Sequence, residues 1–188
     1  MKNYKLYIDD NPLAIDLESA LAKMTEQRRT KVLAFKHEQG RKLSAAAYML
    51  LCEAIREEYG IDEPPLFEYS EHGKPSIVGH PEIYFNLSHC RSVAACVVSL
   101  SPVGVDVEDV REFKESLARY VLNDDEYAAV MSSQSPAQEF IRLWTMKESY
   151  LKLTGEGITR DLKTVLTDMG KYHFDTRHLH SSVLTICY

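Results

Sequence analysis

Three carboxylates in this 188-residue chain have the types and spacing to hold a cation. Asp106 and Glu108 sit two residues apart in Val103-Gly104-Val105-Asp106-Val107-Glu108, an alternating run of the kind that forms a strand. With period two, the three valines share one face and the two acids share the other. Neighbouring like charges on one strand face repel unless water or a cation screens them. A solvated sheet face and a metal site are equally open on this run alone. The third acid, Glu148, lies in Trp144-Thr145-Met146-Lys147-Glu148-Ser149-Tyr150-Leu151-Lys152.

The element that must carry Glu148 reads as a long helix. Ser135 suits its N-cap, Pro136 its first position, Gln138 the return arm of a capping box, and Gly155 its stop. Phe140, Ile141, Trp144 and Leu151 recur at helical spacing as the inward face, and Glu148 falls on that stripe. A carboxylate there is costly unless a cation or several donors accompany it. Glu148 could pair with Lys152 at i+4, worth only ~0.2–0.5 kcal/mol. It could also stay wet at the rim of the stripe, or form a structural salt bridge elsewhere.

Before this helix, 4–8 alternates like a strand, 13–24 is helical by pattern, and Thr25 caps a second helix running toward Phe35. The spacing predicts a strong helix over 42–59, stopped by Gly60, with Lys36, His37, Arg41 and Lys42 near its start. Those donors are either ordinary surface charge or an anion site at a helix N-terminus. Strands are predicted over 67–69, 83–88 and 93–99, with a turn at Gly73-Lys74-Pro75 and His89 at a strand end. A histidine so placed is either a structural hydrogen-bonder or a ligand contact. The stretch 111–127 is partly helical, and 164–169, 172–175 and 183–187 read as strands, with a turn around His178. Helices followed by short strands recur in both parts of the chain, so the fold class is α+β.

Composition narrows the function classes. A net charge of −6 argues against general nucleic-acid binding. Cys52, Cys90, Cys96 and Cys187 show no C-x-x-C spacing, so a zinc site is not expected and reduced thiols in a cytoplasmic protein are. No apolar run is long enough for a signal peptide or membrane span.

Hard oxygen ligands from Asp106, Glu108 and Glu148 suit Mg²⁺ or Mn²⁺, and Lys36, Arg41, Lys74, His89, Lys147 and Lys152 offer the positive counterpart. The set fits phosphoryl-type transfer, in which catalysis is mainly charge neutralisation and alignment. Taken in order, Gly73-Lys74-Pro75, Phe85-Asn86-Leu87-Ser88-His89, Gly104-Val105-Asp106-Val107-Glu108 and the Trp144 to Lys152 run resemble the 4′-phosphopantetheinyl transferases of the surfactin-synthetase-activating type. The similarity covers roughly residues 25–157, and its specificity rests on the Asp-x-Glu run paired with W-x-x-K-E-S-x-x-K.

The resemblance implies a monomeric pseudo-dimer of two similar α+β halves, 1–101 and 102–188, with the active site in the cleft between them. It implies transfer of the phosphopantetheine arm of coenzyme A to a serine of an apo acyl or peptidyl carrier protein, with adenosine 3′,5′-bisphosphate leaving. On that analogy Asp106, Glu108 and Glu148 hold Mg²⁺, Glu148 serves as general base, and Lys152 attends the departing phosphate. Lys36, Arg41, Lys74, Ser88, His89 and Lys147 are then expected to contact coenzyme A. Carriers of this kind present an acidic helix, so Phe113, Leu117, Tyr120, Val121 and Leu122 are candidate docking residues, with core packing as the other reading. The chain ends at Tyr188, earlier than many relatives of this type, so carrier contacts from an accessory C-terminal segment are not expected. Two other classes compete: an inactive coenzyme A-binding module acting in a carrier pathway, and a metal-dependent phosphohydrolase. Retention of all three acids and Lys152 argues against the first, and hydrolysis of coenzyme A without a carrier would favour the second.

Overall fold

The structure, a computed structural model, describes residues 3–157, 161–167 and 170–188. It is a mixed α+β fold with two three-stranded antiparallel sheets and one small hairpin. The first sheet has the order β1-β5-β4, from β1 (Tyr4–Asp9), β5 (Ala94–Ser99) and β4 (Tyr84–His89). The second has the order β6-β8-β7, from β6 (Gly104–Asp109), β8 (Ser182–Cys187) and β7 (Phe174–His178). Strands β2 (Phe67–Tyr69) and β3 (Pro75–Ile77) pair as the hairpin, turned at Gly73 with φ 78°.

Helix α3 (Glu38–Tyr59) lies across the first sheet and buries Ala47, Leu51, Ala54 and Ile55 against Cys96 and Val98 of β5. Ala95 and Val97, on the other face of β5, pack with Val103, Val105, Val107 and Ile186. Strand β5 is therefore buried on both sides, which explains its unbroken run of small apolar residues. Helix α6 (Pro136–Thr154) crosses β6 and β8, and Thr145 and Thr185 meet hydroxyl to hydroxyl at 2.8 Å beneath it. Among the described residues no helix is long and apolar enough to cross a membrane.

Several local expectations hold, and others need correction. Thr25 caps α2 (Glu26–Leu33), accepting from the amide of Arg28, and Gly60 and Gly155 end α3 and α6 in the left-handed region. The predicted 13–24 helix is instead a 3₁₀ turn (Pro12–Ala14) and α1 (Leu17–Ala22), because the Asp16 side chain takes the amides of Glu18 and Ser19 and starts a new helix there. Helix α3 begins at Glu38, four residues ahead of Lys42. Neither the Ser135 cap nor its box forms, since Gln138 turns to the His178 ring instead. The described part of 164–169 is a 3₁₀ turn (Leu162–Thr164) and bends rather than a strand, capped by Asp161; residues 168–169 lie outside the described residues. Helices α4 (Glu115–Val121) and α5 (Asp124–Ser132) account for 111–127, the second opened by a complete Asn123–Glu126 capping box.

The two sheets meet where β4 runs beside β6. Among the described residues no backbone ladder joins them; instead Asn86 Oδ1 accepts from the Val105 amide at 3.1 Å, and Ser88 Oγ accepts from the Val107 amide at 3.2 Å. Both pairings advance in the same sense, so the strands run parallel there, with two side chains standing in for the missing carbonyls. This seam brings Phe85-Asn86-Leu87-Ser88-His89 up against the Asp106 strand.

Candidate active site

Strand β6 presents Gly104, Asp106 and Glu108 on one face, opposite the buried valines. Helix α6 crosses that face at Gly104. A Cβ at this position would lie 2.6 Å from the Leu153 nitrogen and closer still to the Ser149 carbonyl oxygen. Contact this close between helix and strand sets Glu148 and Lys152, one step round the helix from Ser149 and Leu153, beside Asp106. A cleft of about 480 Å³ opens there, lined among others by Ser88, His89, Asp106, Glu108, Glu148 and Lys152. The carboxylates, far apart in sequence, thus share one cavity wall.

The cleft gathers carboxylates that are only partly balanced by Lys152. The Lys152 ammonium donates to Asp106 Oδ1 at 2.7 Å, to the Val105 carbonyl at 3.2 Å and to Ser88 Oγ at 3.0 Å. Ser88 Oγ in turn donates to the same Asp106 oxygen at 2.9 Å. Two buried carboxylate oxygens, Asp106 Oδ2 and Glu148 Oε1, have no hydrogen-bond partner among the described residues. Burial, then the neighbouring Asp106 charge, pushes the Glu108 carboxyl up to about 7 and raises that of Glu148 as well. Among the described residues no three acidic, histidine or cysteine side chains are already gathered as a ligand set. Lys152 neutralises Asp106 in their place. Unsatisfied buried oxygens and hard donors nonetheless fit Mg²⁺ or Mn²⁺, which keep waters and need few protein ligands.

The positive side of the cleft differs from expectation. Lys36 is exposed, and Arg41 Nε donates to the Phe35 carbonyl at 2.9 Å, so neither lines the cavity. Lys36 sits on the bend before α3 and Arg41 in the first turn of that helix. Arg28 and Lys31 of α2 line it instead. Arg28 is held by Ser44, carbonyl and hydroxyl, at 2.7 and 2.8 Å, and lies over the Tyr48 ring, while its Nε is buried without a partner among the described residues. Lys31 lies over Tyr69. The i, i+3 spacing within Gln27-Arg28-Arg29-Thr30-Lys31 is the signal that could have found them, since it puts both on one helix face.

Lys74 and Lys147 also turn elsewhere. Lys74 Nζ donates to the Leu153 carbonyl, so its ammonium closes the end of α6 and ties the β2–β3 turn to the helix. Lys147 is 1% exposed and points away from the cleft, donating to Glu126 at 2.8 Å and to the Leu162 carbonyl at 2.7 Å. Adjacent residues on a helix diverge by roughly 100°. With Glu148 facing β6, Lys147 is committed to α5, and its place in the motif is structural. His89 does line the cleft; burial, then Lys152, lowers its pKa and keeps the ring neutral.

Of the candidate docking residues, Val121 and Leu122 are core, and Phe113 packs edge-on against Phe140. Leu117 and Tyr120 are exposed, at 41% and 75%. A second hollow of about 360 Å³ runs from Leu117 past Arg111 and Lys114 to Trp144 and Glu108, the last two shared with the main cleft.

Comparison with known proteins accords with this geometry. Residues 102–186 match the 4′-phosphopantetheinyl transferase superfamily. The chain is 30% identical over 165 residues to a 4′-phosphopantetheinyl transferase of Bacillus subtilis, spanning 86% of this chain and 74% of the relative. It is 27% identical, over the same shares, to 4′-phosphopantetheinyl transferase Sfp of Bacillus subtilis (strain 168). To 4′-phosphopantetheinyl transferase gsp of Aneurinibacillus migulanus it is 36% identical over 99 residues, 52% of this chain and 41% of that one. The chain belongs to the 4′-phosphopantetheinyl transferase family.

Proposed function

We propose that this enzyme transfers the 4′-phosphopantetheine arm of coenzyme A to a serine hydroxyl of an apo acyl or peptidyl carrier protein, and that it does so as a pseudo-dimer of two α+β halves, 1–101 and 102–188, with coenzyme A in the cleft between them. One observation carries the reading: Asp106, Glu108, Glu148 and Lys152 line a single cavity, with two buried carboxylate oxygens unsatisfied. A non-catalytic module would have no use for so costly an arrangement.

In this reading Arg28 and Lys31 neutralise the nucleotide phosphates, the neutral His89 ring offers them a hydrogen bond, and Ser88 orients Asp106. Asp106, Glu108 and Glu148 would hold Mg²⁺ or Mn²⁺, which supplies charge neutralisation of the diphosphate. Glu148 takes the proton of the carrier serine, a poor nucleophile near neutral pH without a base. A carboxyl whose pKa is already raised is better matched to that task than an ordinary one. Lys152, held beside Asp106 on the same cavity wall, meets the charge on the departing bisphosphate. The carrier docks over Leu117 and Tyr120, its acidic helix facing Arg111 and Lys114, and reaches the cleft past Trp144.

The test is mass spectrometry on a panel of apo carriers with coenzyme A and Mg²⁺. A gain of about 340 Da, the mass of the arm, is expected on at least one of them. Breakdown of coenzyme A in the absence of carrier, with no carrier gaining mass, would instead mark a hydrolase.

Metal dependence has a second, activity-free consequence. Glu108 and Glu148 have folded-state pKa values raised above the unfolded ones, so the folded state binds more protons. Their contribution to stability is full below the unfolded value, roughly 4.3, and is lost as pH rises through about 7 for Glu108. Thermal denaturation without metal should therefore give a Tm that declines over this window, and Mg²⁺ should raise Tm more at pH 7.5 than at pH 5.5. Equal metal-induced shifts at the two pH values would remove these carboxylates from the metal site.

A further inference from the structure

The main cleft does not end at the carboxylates. A smaller hollow of about 190 Å³ continues beyond them, between the β2–β3 turn and the end of α6, with Gly155 and Gly157 in its wall. Four residues line both spaces and form the strait between them: Pro75, Asn86, Glu148 and Lys152. The main cleft holds Arg28 and Lys31 and suits the bisphosphate of the nucleotide; the smaller hollow, lined beyond the strait by His72, Gly73, Lys74, Leu151, Gly155 and Gly157, has room for a slender chain with polar groups. On the reading proposed above, the group lying in the strait is the phosphate that changes partners.

Asn86 is 8% exposed, and its amide can be oriented from its partners. The Val105 backbone N–H needs an acceptor and finds Asn86 Oδ1 at 3.1 Å, so the amide nitrogen must point the opposite way. Among the described residues this nitrogen has no hydrogen-bond partner, and its side chain borders both spaces. A neutral, preoriented N–H₂ group beside a general base and an ammonium has the placement of an oxyanion donor.

We propose that Asn86 is a further catalytic residue, its Nδ2 donating to a non-bridging oxygen of the phosphate that bears pantetheine. In the step it serves, the carrier serine oxygen forms a bond to that phosphorus, and the bond from the phosphorus to the bridging oxygen breaks. The electron pair leaves on the bridging oxygen with adenosine 3′,5′-bisphosphate, and the serine proton passes to Glu148. Negative charge on the non-bridging oxygens is met by a fixed donor that adds no charge of its own.

Asn86→Asp keeps the acceptor for Val105 and removes the donor; Asn86→Ala removes the donor without adding charge. Each variant is titrated with coenzyme A and with adenosine 3′,5′-bisphosphate, which lacks the transferred phosphate, and assayed for turnover. In both, kcat should fall about 100-fold or more. Coenzyme A should bind about 10-fold more weakly while the bisphosphate stays within about 2-fold of wild type. Equal weakening of both ligands would mean that Asn86 only supports the β4–β6 seam, and unchanged kcat would remove it from the chemistry. Wild-type protein that modifies no carrier would defeat the transferase reading itself. Transfer by wild type with undiminished variants defeats this inference alone.

Discussion

Glu148→Gln should lower kcat for carrier modification by about 10³-fold and leave the protein at least as stable as wild type. Loss of a positioned general base costs about 10²- to 10⁴-fold, and the amide also replaces a charged oxygen available to a cation. The stability arm comes from the same burial. Glu148 carries a raised pKa caused first by desolvation and then by Asp106, and its Oε1 has no partner. Neutralising it removes a repulsion and a desolvation cost while preserving shape. Steady-state kinetics and thermal denaturation on one preparation check both arms. Transfer at a near-normal rate would show that the serine proton goes elsewhere.

A second large effect is expected at a residue with no side chain at all. Gly104→Ala should destabilise the fold by about 3 kcal/mol or more, toward the upper end for overpacking. The obstruction is backbone: the Ser149 carbonyl and the Leu153 amide of α6 occupy the space a methyl group would need. Flexible side chains could yield there, but a helix packed on two strands cannot shift locally. If the variant folds, α6 must lift from β6 and carry Glu148 and Lys152 away from Asp106. A misplacement near 1 Å can cost about 10²-fold in rate, so kcat should fall even in the folded fraction. Urea unfolding with a wild-type midpoint, together with wild-type kcat, would show that the helix does not depend on this approach.

Much of the site was legible because local rules govern it. Alternation put Val103, Val105 and Val107 on one face and Asp106 and Glu108 on the other, and the structure keeps that division. Gly60 and Gly155 stop their helices as glycine's access to positive φ predicts. Where another hydrogen bond competes, local or tertiary, the helix-start rules fail. Asp16 split a predicted helix by capping a new one, and Gln138 left its capping box for His178.

The basic residues mark the boundary more sharply. Composition and spacing determined that this chain has carboxylates able to hold a hard cation, a long helix and a buried strand able to carry them, and lysines close by. Which lysine faces the cleft was decided only by tertiary structure. Lys147 and Lys152 lie in one motif, yet α6 turns the first into a clamp on Glu126 and the second onto Asp106. Helical periodicity defines relative directions around an axis, but the zero of that rotation comes from packing, here from the contact at Gly104. The β4–β6 seam is likewise invisible in sequence, because two side-chain oxygens there do what backbone carbonyls do within a sheet.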